Sequence, residues 1–291
     1  MSSPVPTIHQ LLQIGHQKLK QQGSSSDDAD ILLAHTLDVE KEYLYTHPEQ
    51  KSTTRDWEVY SKLLEKRAAG YSVAVLVGYK YFYGLRFAVT EDTLVPRPES
   101  EVLVDEAVRI LQTKKTATIL DMGTGCGNLV ITINHEIKKT RKQGFTFYAA
   151  DISTKALDVA RANARAHHVP VLFFQSNLFS NIAQLRFDLI LANLPYLTTE
   201  QLREPSIRKE PIGALWAGTD GLDMYRVLLD EVEPFRNPNS VILLEIDPQQ
   251  SDAIEGIVRE HLPTSVVSLL PDLAGHSRVV KIAYRAMRPL G

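Results

Sequence analysis

The segment Asn193-Leu194-Pro195-Tyr196 directly follows an apolar run, residues 187–192. Such a run is typical of a buried parallel strand, and ligands bind beyond the carboxyl ends of such strands. The Asn193 side chain offers a carbonyl acceptor. Pro195 favours an extended Leu194, whose carbonyl can then face outward, and Tyr196 offers a flat apolar ring. These groups could hold a planar –NH2 group by accepting both of its hydrogens. A simple strand-to-loop turn is the alternative, since Asn and Pro are common in turns.

A glycine-rich turn, residues 123–127, follows an earlier predicted strand at residues 117–121, and a helix is predicted from Asn128. The turn offers backbone N–H groups and close approach at a helix N-terminus, which favours negative charge. Asp151 ends the next predicted strand, where an acid accepts hydrogen bonds from ribose hydroxyls in nucleotide-binding βαβ units. A nucleoside site is therefore predicted at this edge of the sheet.

The details of the turn favour S-adenosylmethionine over a dinucleotide. Its sequence, Gly-Thr-Gly-Cys-Gly, lacks the final Gly-x-x-Gly spacing of the dinucleotide fingerprint. Asp121, just before it, would repel a pyrophosphate but could attract a cationic amino group. The sulfonium methyl is already activated, so the protein has to hold a nitrogen in line behind it. Acceptors for both N–H hydrogens would localise the nitrogen lone pair and stabilise the developing charge. The Asn193 segment fits that task.

Two other residues near these motifs have chemical potential. Arg97 stands between two prolines, and its guanidinium can bind an anion bidentately, although a stiff linker before a helix explains the same pattern. Cys126, the single cysteine, lies near a helix start that could lower its thiol pKa. We interpret it as a small residue in a tight turn, because no partner for nucleophilic chemistry is evident. No Cys, His and carboxylate set has metal-ligand spacing, so no metal is expected.

The composition is that of a soluble globular protein. The chain has 291 residues, of which 44% are hydrophobic and 23% charged, and a formal net charge of −3. This charge counts against a nucleic-acid binder, although a local basic groove stays open. One cysteine fits a reducing compartment, and no apolar run has membrane-spanning length. The N-terminus lacks the layout of a signal peptide. We therefore expect a cytoplasmic protein that does not contact a membrane.

The pattern divides the chain into three segments. Residues 1–72 have apolar residues at helix spacing and predict a small helical bundle for substrate recognition. Residues 73–94 have aromatic residues around Gly84 and predict a β-hairpin linker. Residues 95–291 contain alternating strands and helices, which predict an α/β domain with a mostly parallel sheet. Strands are predicted at residues 117–121, 145–150, 171–174, 187–192, 241–246, 265–270 and 278–284.

Further motifs follow one another along nearly the whole chain. They are residues 78–87, 95–101, 121–127, 193–196, 210–223, Leu244-Glu245-Ile246 with Gln249, and 272–275. In their order and spacing the chain resembles the protein N5-glutamine methyltransferases that modify peptide-chain release factors. The resemblance implies an N-terminal helical domain that grips the release factor. It also implies a seven-stranded, Rossmann-like class I methyltransferase domain with its last strand antiparallel. The expected target is the glutamine of a Gly-Gly-Gln loop.

The motifs and the resemblance together define the candidate site residues. The expected binding residues for S-adenosylmethionine are Asp121, Gly123, Thr124, Gly125, Cys126, Gly127, Asp151, Ile152, Asn177, Leu178 and Asn193, with Leu178 at the adenine. The expected catalytic and glutamine-binding residues are Asn193, Leu194, Pro195 and Tyr196, and Arg97 and Glu99 are expected to contact the substrate as well. A monomer that needs no metal is expected.

Two positions depart from the family pattern. The family usually has Asn-Pro-Pro-Tyr, and Leu194 stands in place of the first proline. The acceptor there is a backbone carbonyl, which leucine also supplies, and Pro195 still restrains it. Asn177 stands where an aspartate is usual, and it keeps a carbonyl acceptor and an NH2 donor for adenine.

Three other functions fit parts of the pattern. Related enzymes methylate a glutamine of a ribosomal protein. An N6-adenine methyltransferase of DNA or RNA also holds a planar –NH2 group, and the ribosomal-RNA adenine dimethyltransferases often carry Asn-Leu-Pro-Tyr. The net charge of −3, Arg97 and residues 221–223 argue against a nucleic-acid substrate. An inactive scaffold would need none of the acids and amides of the predicted site. A release-factor glutamine is therefore the favoured acceptor.

Deletion of residues 1–70 tests the recognition role of the helical segment. We expect the shortened protein to lose affinity for its protein substrate more than affinity for S-adenosylmethionine, because the cofactor motifs all lie after residue 95. Calorimetric titration with each ligand measures the two losses. Equal losses would contradict the recognition role.

Overall fold

A computed structural model of the protein describes residues 5–204, 207 and 209–284. The described residues divide into two compact units, one within residues 1–79 and 204–209, and one within residues 80–203 and 210–291. None of the helices in the described part of the chain has the length and apolarity needed to cross a bilayer.

The first unit is a helical bundle. Its helices are α1 (Ile8–Lys20), α2 (Ser26–Leu37), α3 (Lys41–Thr46), α4 (Thr54–Ala68) and α5 (Val73–Val77). Capping boxes start α1 and α4. The side chains of Thr7 and Thr53 each accept the backbone N–H three residues on, and the backbone N–H of each threonine donates to the side chain of that same residue. The apolar faces meet in one core, which includes Ile8, Leu11, Leu19, Leu32, Leu33, Leu44, Tyr60 and Leu64.

The hairpin predicted for residues 73–94 is shorter in the structure. Its strands are β1 (Tyr79–Phe82) and β2 (Leu85–Ala88), whereas residues 73–77 form α5 instead of a strand. The run Val-Ala-Val-Leu-Val favours a strand by composition, but the residues that flank it favour a helix. The Ser72 side chain accepts the Val75 N–H at the helix start, and Gly78 ends the helix with φ 82°.

The second unit is built on a seven-stranded sheet, which confirms the predicted α/β class. Its strands are β3 (Ala117–Met122), β4 (Phe145–Asp151), β5 (Leu172–Gln175), β6 (Phe187–Ala192), β7 (Arg236–Glu245), β8 (Ser265–Pro271) and β9 (Ser277–Tyr284). Its helices are α6 (Glu101–Gln112), α7 (Asn128–Lys139), α8 (Thr154–Ala166), α9 (Asp223–Glu231) and α10 (Ser251–His261). The strand order is β5-β4-β3-β6-β7-β9-β8. The last strand, β9, is antiparallel to both of its neighbours, as the family resemblance implied.

The strand order brings the two main motifs together. The chain runs outward from β3 to β5 and then returns to place β6 on the other side of β3, so a topological switch point lies between β3 and β6. Met122 pairs with Ala192, so both strands end at the same level. A Cβ atom built on Gly123 would lie 2.8 Å from Cδ2 of Leu194, which shows how closely the two following segments approach.

Two helical glycines, Gly15 in the first unit and Gly256 in the second, differ in the space around them. A Cβ atom at Gly15 in α1 would meet the Tyr60 hydroxyl at 2.0 Å and Cβ of Ala29 at 2.9 Å. A Cβ atom at Gly256 in α10 would have no described atom within 4 Å apart from its chain neighbours and the backbone of its own helix. We expect Gly15→Ala to lower the free energy of unfolding by about 1–3 kcal/mol through overpacking. Gly256→Ala should raise it by up to about 1 kcal/mol through helix propensity. Urea unfolding followed by circular dichroism measures both changes, and a stabilising Gly15→Ala would contradict the packing.

Candidate active site

A cavity of about 430 Å³ lies in the second unit where β3, β4, β5 and β6 end. This volume is in the range of small-molecule sites. The sequence-predicted residues that line it are Arg97, Gly123, Thr124, Gly125, Cys126, Asp151, Ile152, Asn177, Leu178, Asn193, Leu194 and Pro195. Four other predicted residues lie outside the lining, namely Glu99, Asp121, Gly127 and Tyr196.

The glycine turn offers fewer free donors than its sequence suggests. The N–H groups of Gly123 and Thr124 both donate to the Ala150 carbonyl, at 2.8 and 3.0 Å. The Gly125 N–H donates to Oδ2 of Asp151 at 2.9 Å. These bonds hold the turn against the end of β4. The turn therefore contributes close approach to a ligand more than hydrogen bonds from these amides, which suits a nucleoside better than a pyrophosphate.

Asp151 is fixed by backbone amides at the cavity wall. Its Oδ2 accepts from Gly125 N–H and its Oδ1 accepts from Ser153 N–H, both at 2.9 Å. Burial raises the pKa of this carboxyl, and the two N–H groups partly offset the rise. Each carboxylate oxygen has two lone pairs, so acceptor capacity remains for ligand hydroxyls.

Asp121 is completely buried beneath the turn. Its Oδ2 accepts from the Thr124 hydroxyl at 2.7 Å, and its Oδ1 has no hydrogen-bond partner among the described residues. Burial raises the pKa of this carboxyl to about 6. Asp121 therefore acts on the cavity through its charge and through Thr124, which lines the wall, and not as an exposed ligand-binding group.

Cys126 lies in the same wall with 1% of its surface exposed. Burial raises the pKa of its thiol to about 12. The thiol is therefore protonated at neutral pH, so the helix start does not activate it as a nucleophile.

The Asn193 amide is held by two oxygen atoms. Its Nδ2 donates to Oγ of Ser100 at 3.1 Å and to Oε2 of Glu245 at 3.0 Å. Its Oδ1 is buried and has no hydrogen-bond partner in the described part of the chain. A buried acceptor without a partner is unfavourable, so a ligand N–H at this atom would be stabilising.

Tyr196 is held at both its side chain and its backbone. Its hydroxyl donates to Oε1 of Glu245 at 3.2 Å. The Gln250 side chain donates to the carbonyls of Tyr196 and Asp220, at 2.9 and 3.0 Å. Gly221 makes room for this arrangement, because a Cβ atom there would lie 2.1 Å from the Tyr196 carbonyl oxygen.

The two residues expected near the substrate have different surroundings. Arg97 lines the cavity, and its guanidinium forms an ion pair with Glu210, whose other oxygen, Oε2, is buried without a hydrogen-bond partner among the described residues. Much of the charge of Arg97 is thus already compensated inside the protein. Glu99 is exposed and does not line the cavity.

Sequence reasoning did not assign roles to three residues that organise the site. These are Ser100, Glu245 and Gln250, which contact the Asn193 segment from distant parts of the chain. The Leu244-Glu245-Ile246 motif was a usable signal, because it places an acid at the end of a strand that neighbours β6. Trp216 was also missed. It lines the cavity with 49% of its surface exposed, and its indole N–H donates to the Thr199 hydroxyl at 3.2 Å.

Metal ligands are not grouped anywhere in the part of the chain that the structure describes. No three His, Cys, Asp or Glu side chains there are arranged to hold a metal ion.

Comparison with known proteins identifies the class and then the family. The model of the PrmC N-terminal domain matches residues 10–78, and that of the methyltransferase small domain matches residues 100–210. Among solved structures, a methyltransferase from Pyrococcus furiosus has a TM-score of 0.50 and 17% identity, and the match covers 70% of this chain and 91% of that one. The fold and the matched models thus define an α/β domain of the methyltransferase type.

Curated relatives narrow the class further. A release factor glutamine methyltransferase from Rhodopirellula baltica is 32% identical, over 95% of this chain and 96% of its own length. One from Xylella fastidiosa is 34% identical, over 87% of this chain and 90% of its own length. A bifunctional methyltransferase from Rickettsia felis is 32% identical over 94% of this chain, which spans only 57% of that longer protein. The chain belongs to the release factor glutamine methyltransferase family.

The cavity has the features that S-adenosylmethionine requires. Asp151 has spare acceptor capacity for ribose hydroxyls, and Ile152 and Leu178 provide apolar surface for an adenine. The buried charge of Asp121, with its unpaired Oδ1, favours a cationic amino group nearby. These residues and the glycine turn would hold the cofactor, which supplies an activated methyl group when bound.

The pKa of Asp121 predicts how cofactor affinity depends on pH. Because the carboxyl has a pKa of about 6, it becomes protonated as pH falls below that value and no longer attracts the cationic cofactor. We expect S-adenosylmethionine affinity to weaken between about pH 7 and pH 5, and Asp121→Asn to bind more weakly than the native protein at pH 7, with a flatter profile that approaches the native affinity at pH 5. Calorimetry measures the affinities. Exposed Asp158→Asn is the control, and an unchanged profile in Asp121→Asn would contradict this role.

Proposed function

We propose that this protein transfers the methyl group of S-adenosylmethionine to the side-chain amide nitrogen of the glutamine in the Gly-Gly-Gln loop of peptide-chain release factors. Family membership supports this acceptor. The observation that carries the proposal is the Asn193 amide, whose Nδ2 is bound within the protein while its buried Oδ1 has no partner among the described residues. An acceptor prepared in this way fits one hydrogen of a primary amide.

Different residues at the cavity would bind the two hydrogens of the glutamine NH2 group. Oδ1 of Asn193 accepts one N–H hydrogen of the glutamine and the Leu194 carbonyl accepts the other, while Tyr196 supports the segment. An amide nitrogen is a poor nucleophile because its lone pair is delocalised. Two acceptors localise the lone pair and stabilise the positive charge that develops on nitrogen. The methylated nitrogen is then acidic enough to lose a proton without a dedicated strong base.

The finer assignments belong to the same proposal. The helical segment, residues 1–72, would recognise the release factor, residues 73–94 would link it, and residues 95–291 would carry the methyl-transfer site. We also propose that the protein acts in the cytoplasm as a monomer and without a metal. Leu194 is the residue that an adenine methyltransferase would share, so nucleic acid is included as an acceptor in the following assay.

A labelling experiment separates the acceptors. The protein is incubated with methyl-labelled S-adenosylmethionine and, in separate reactions, with a release factor, ribosomal proteins or oligonucleotides. We expect label on the release factor, at the Gly-Gly-Gln glutamine, and no label when that glutamine is replaced. Label on the replaced release factor, or only on ribosomal protein or nucleic acid, would overturn the proposal.

Asn193→Ala tests the proposed acceptor directly. Loss of one such contact should raise the barrier by about 2–4 kcal/mol, which slows turnover about 30- to 900-fold. Affinity for S-adenosylmethionine should change much less, because the contact is to the methyl acceptor. Single-turnover assays and calorimetry measure the two effects, with exposed Asn239→Ala as the matched control. Near-normal turnover in Asn193→Ala would remove Asn193 from the mechanism.

A further inference from the structure

Glu245 is a buried acid that joins the two polar residues of the Asn193 segment. It ends β7, next to β6, and 1% of its surface is exposed. Oε2 accepts from Nδ2 of Asn193 at 3.0 Å, and Oε1 accepts from the Tyr196 hydroxyl at 3.2 Å. The Ser100 side chain, which accepts from the same Asn193 Nδ2, lies close enough to lower the pKa of Glu245. The Glu245 carboxyl at the end of β7 therefore contacts Asn193 and Tyr196, two of the residues proposed to bind the substrate.

The chemistry of a carboxylate decides which end of the Asn193 amide faces it. The two ends of an amide have nearly the same shape but opposite hydrogen-bonding character. An ionised carboxylate can only accept, so it selects the NH2 end of Asn193. The carbonyl end, Oδ1, then has no partner among the described residues and is available as an acceptor.

We propose that Glu245 is a positioning residue of the methyl-transfer site, which orients the Asn193 amide so that Oδ1 accepts the substrate amide and which holds Tyr196 by its hydroxyl. This inference rests on the proposed function and deepens it. Glu245 acts through Asn193 and Tyr196 and not by contact with the methyl acceptor.

The protonation of Glu245 provides a way to observe this role. Burial raises the pKa of its carboxyl to about 7. Several charged or titratable groups face it. They are Tyr196, Tyr225 on α9, Glu99, and Arg278 on β9, and Arg97 faces Tyr196. A protonated carboxyl can donate as well as accept, so the orientation of the Asn193 amide is no longer fixed below this pH. The rate of methyl transfer should therefore fall as pH decreases through about 7.

Glu245→Gln removes the second acceptor oxygen without changing the shape of the side chain. An amide in this place can accept from Asn193 or from Tyr196 at its one oxygen, but it presents an NH2 group to the other. We expect turnover to fall about 10- to 150-fold, the equivalent of one hydrogen bond to a charged group, with little change in S-adenosylmethionine affinity. The pH dependence near neutrality should flatten.

Glu106→Gln is the matched control, because Glu106 is a second buried glutamate of the same unit. It is 7% exposed and pairs with Arg109 and Lys281, and it does not line the cavity. Its replacement should leave turnover and the pH profile unchanged below the unfolding temperature. A similar loss in both variants would indicate a general effect of losing a buried acid and would overturn the positioning role.

A double-mutant cycle separates positioning from general destabilisation. If Glu245 acts through Asn193, Glu245→Gln should slow turnover much less in an Asn193→Ala background than in the native protein. Fully additive losses would overturn the inference.

Nuclear magnetic resonance of the Asn193 side-chain NH2 group tests the contact without an assay. In the native protein these signals should shift with pH, with a midpoint at about 7. The shift should persist in Glu106→Gln and disappear in Glu245→Gln, and the native titration alone is informative if Glu245→Gln does not fold. Native signals that do not respond to pH would overturn the inference. Native protein that labels no glutamine would instead refute the proposed function, and this titration would still test Glu245.

Discussion

The site depends on one buried carboxylate and the donors that surround it. A charge without partners in a protein interior is strongly unfavourable, so Glu245 requires the hydrogen bonds from Asn193 and Tyr196. That requirement fixes the side chains of a segment that would otherwise be an ordinary turn after a strand. The Asn193 carbonyl is then left as an acceptor because its amino group is already bound. The proposed chemistry of the cavity depends on this arrangement, in which the NH2 group of Asn193 is bound within the protein and its carbonyl is available to a ligand.

The strand order of the sheet places Glu245 beside Asn193. Because β6 lies between β3 and β7, the segment after β6 has the glycine turn on one side and Glu245 on the other. The Asn193 segment therefore lies between the proposed cofactor site after β3 and the acid Glu245 at the end of β7. Leu194 packs close to Gly123, so the lack of a side chain in the turn leaves room for the Leu194 side chain.

Local patterns predicted the strands, the turn and the Asn193 segment, because each depends on residues near one another in sequence. The roles of Ser100 and Glu245 could not be predicted in this way, because they reach Asn193 across 93 and 52 positions. The glycine turn was predicted, but the internal use of its N–H groups depends on how β4 ends beside it. The hairpin linker was predicted over residues 73–94 from the aromatic residues around Gly84, and that pattern gave no sign of the helix at residues 73–77, which is capped by Ser72 and ended by Gly78.

The central claim is that Oδ1 of Asn193 accepts a hydrogen bond from the amide nitrogen that becomes methylated. A crystal structure of the protein with S-adenosylhomocysteine and a release factor measures this contact directly. We predict a distance of about 2.7–3.2 Å between Oδ1 of Asn193 and the glutamine Nε2, with Nδ2 of Asn193 still bound to Glu245. A glutamine held elsewhere, or an Asn193 amide turned to present its NH2 group to the substrate, would contradict the account.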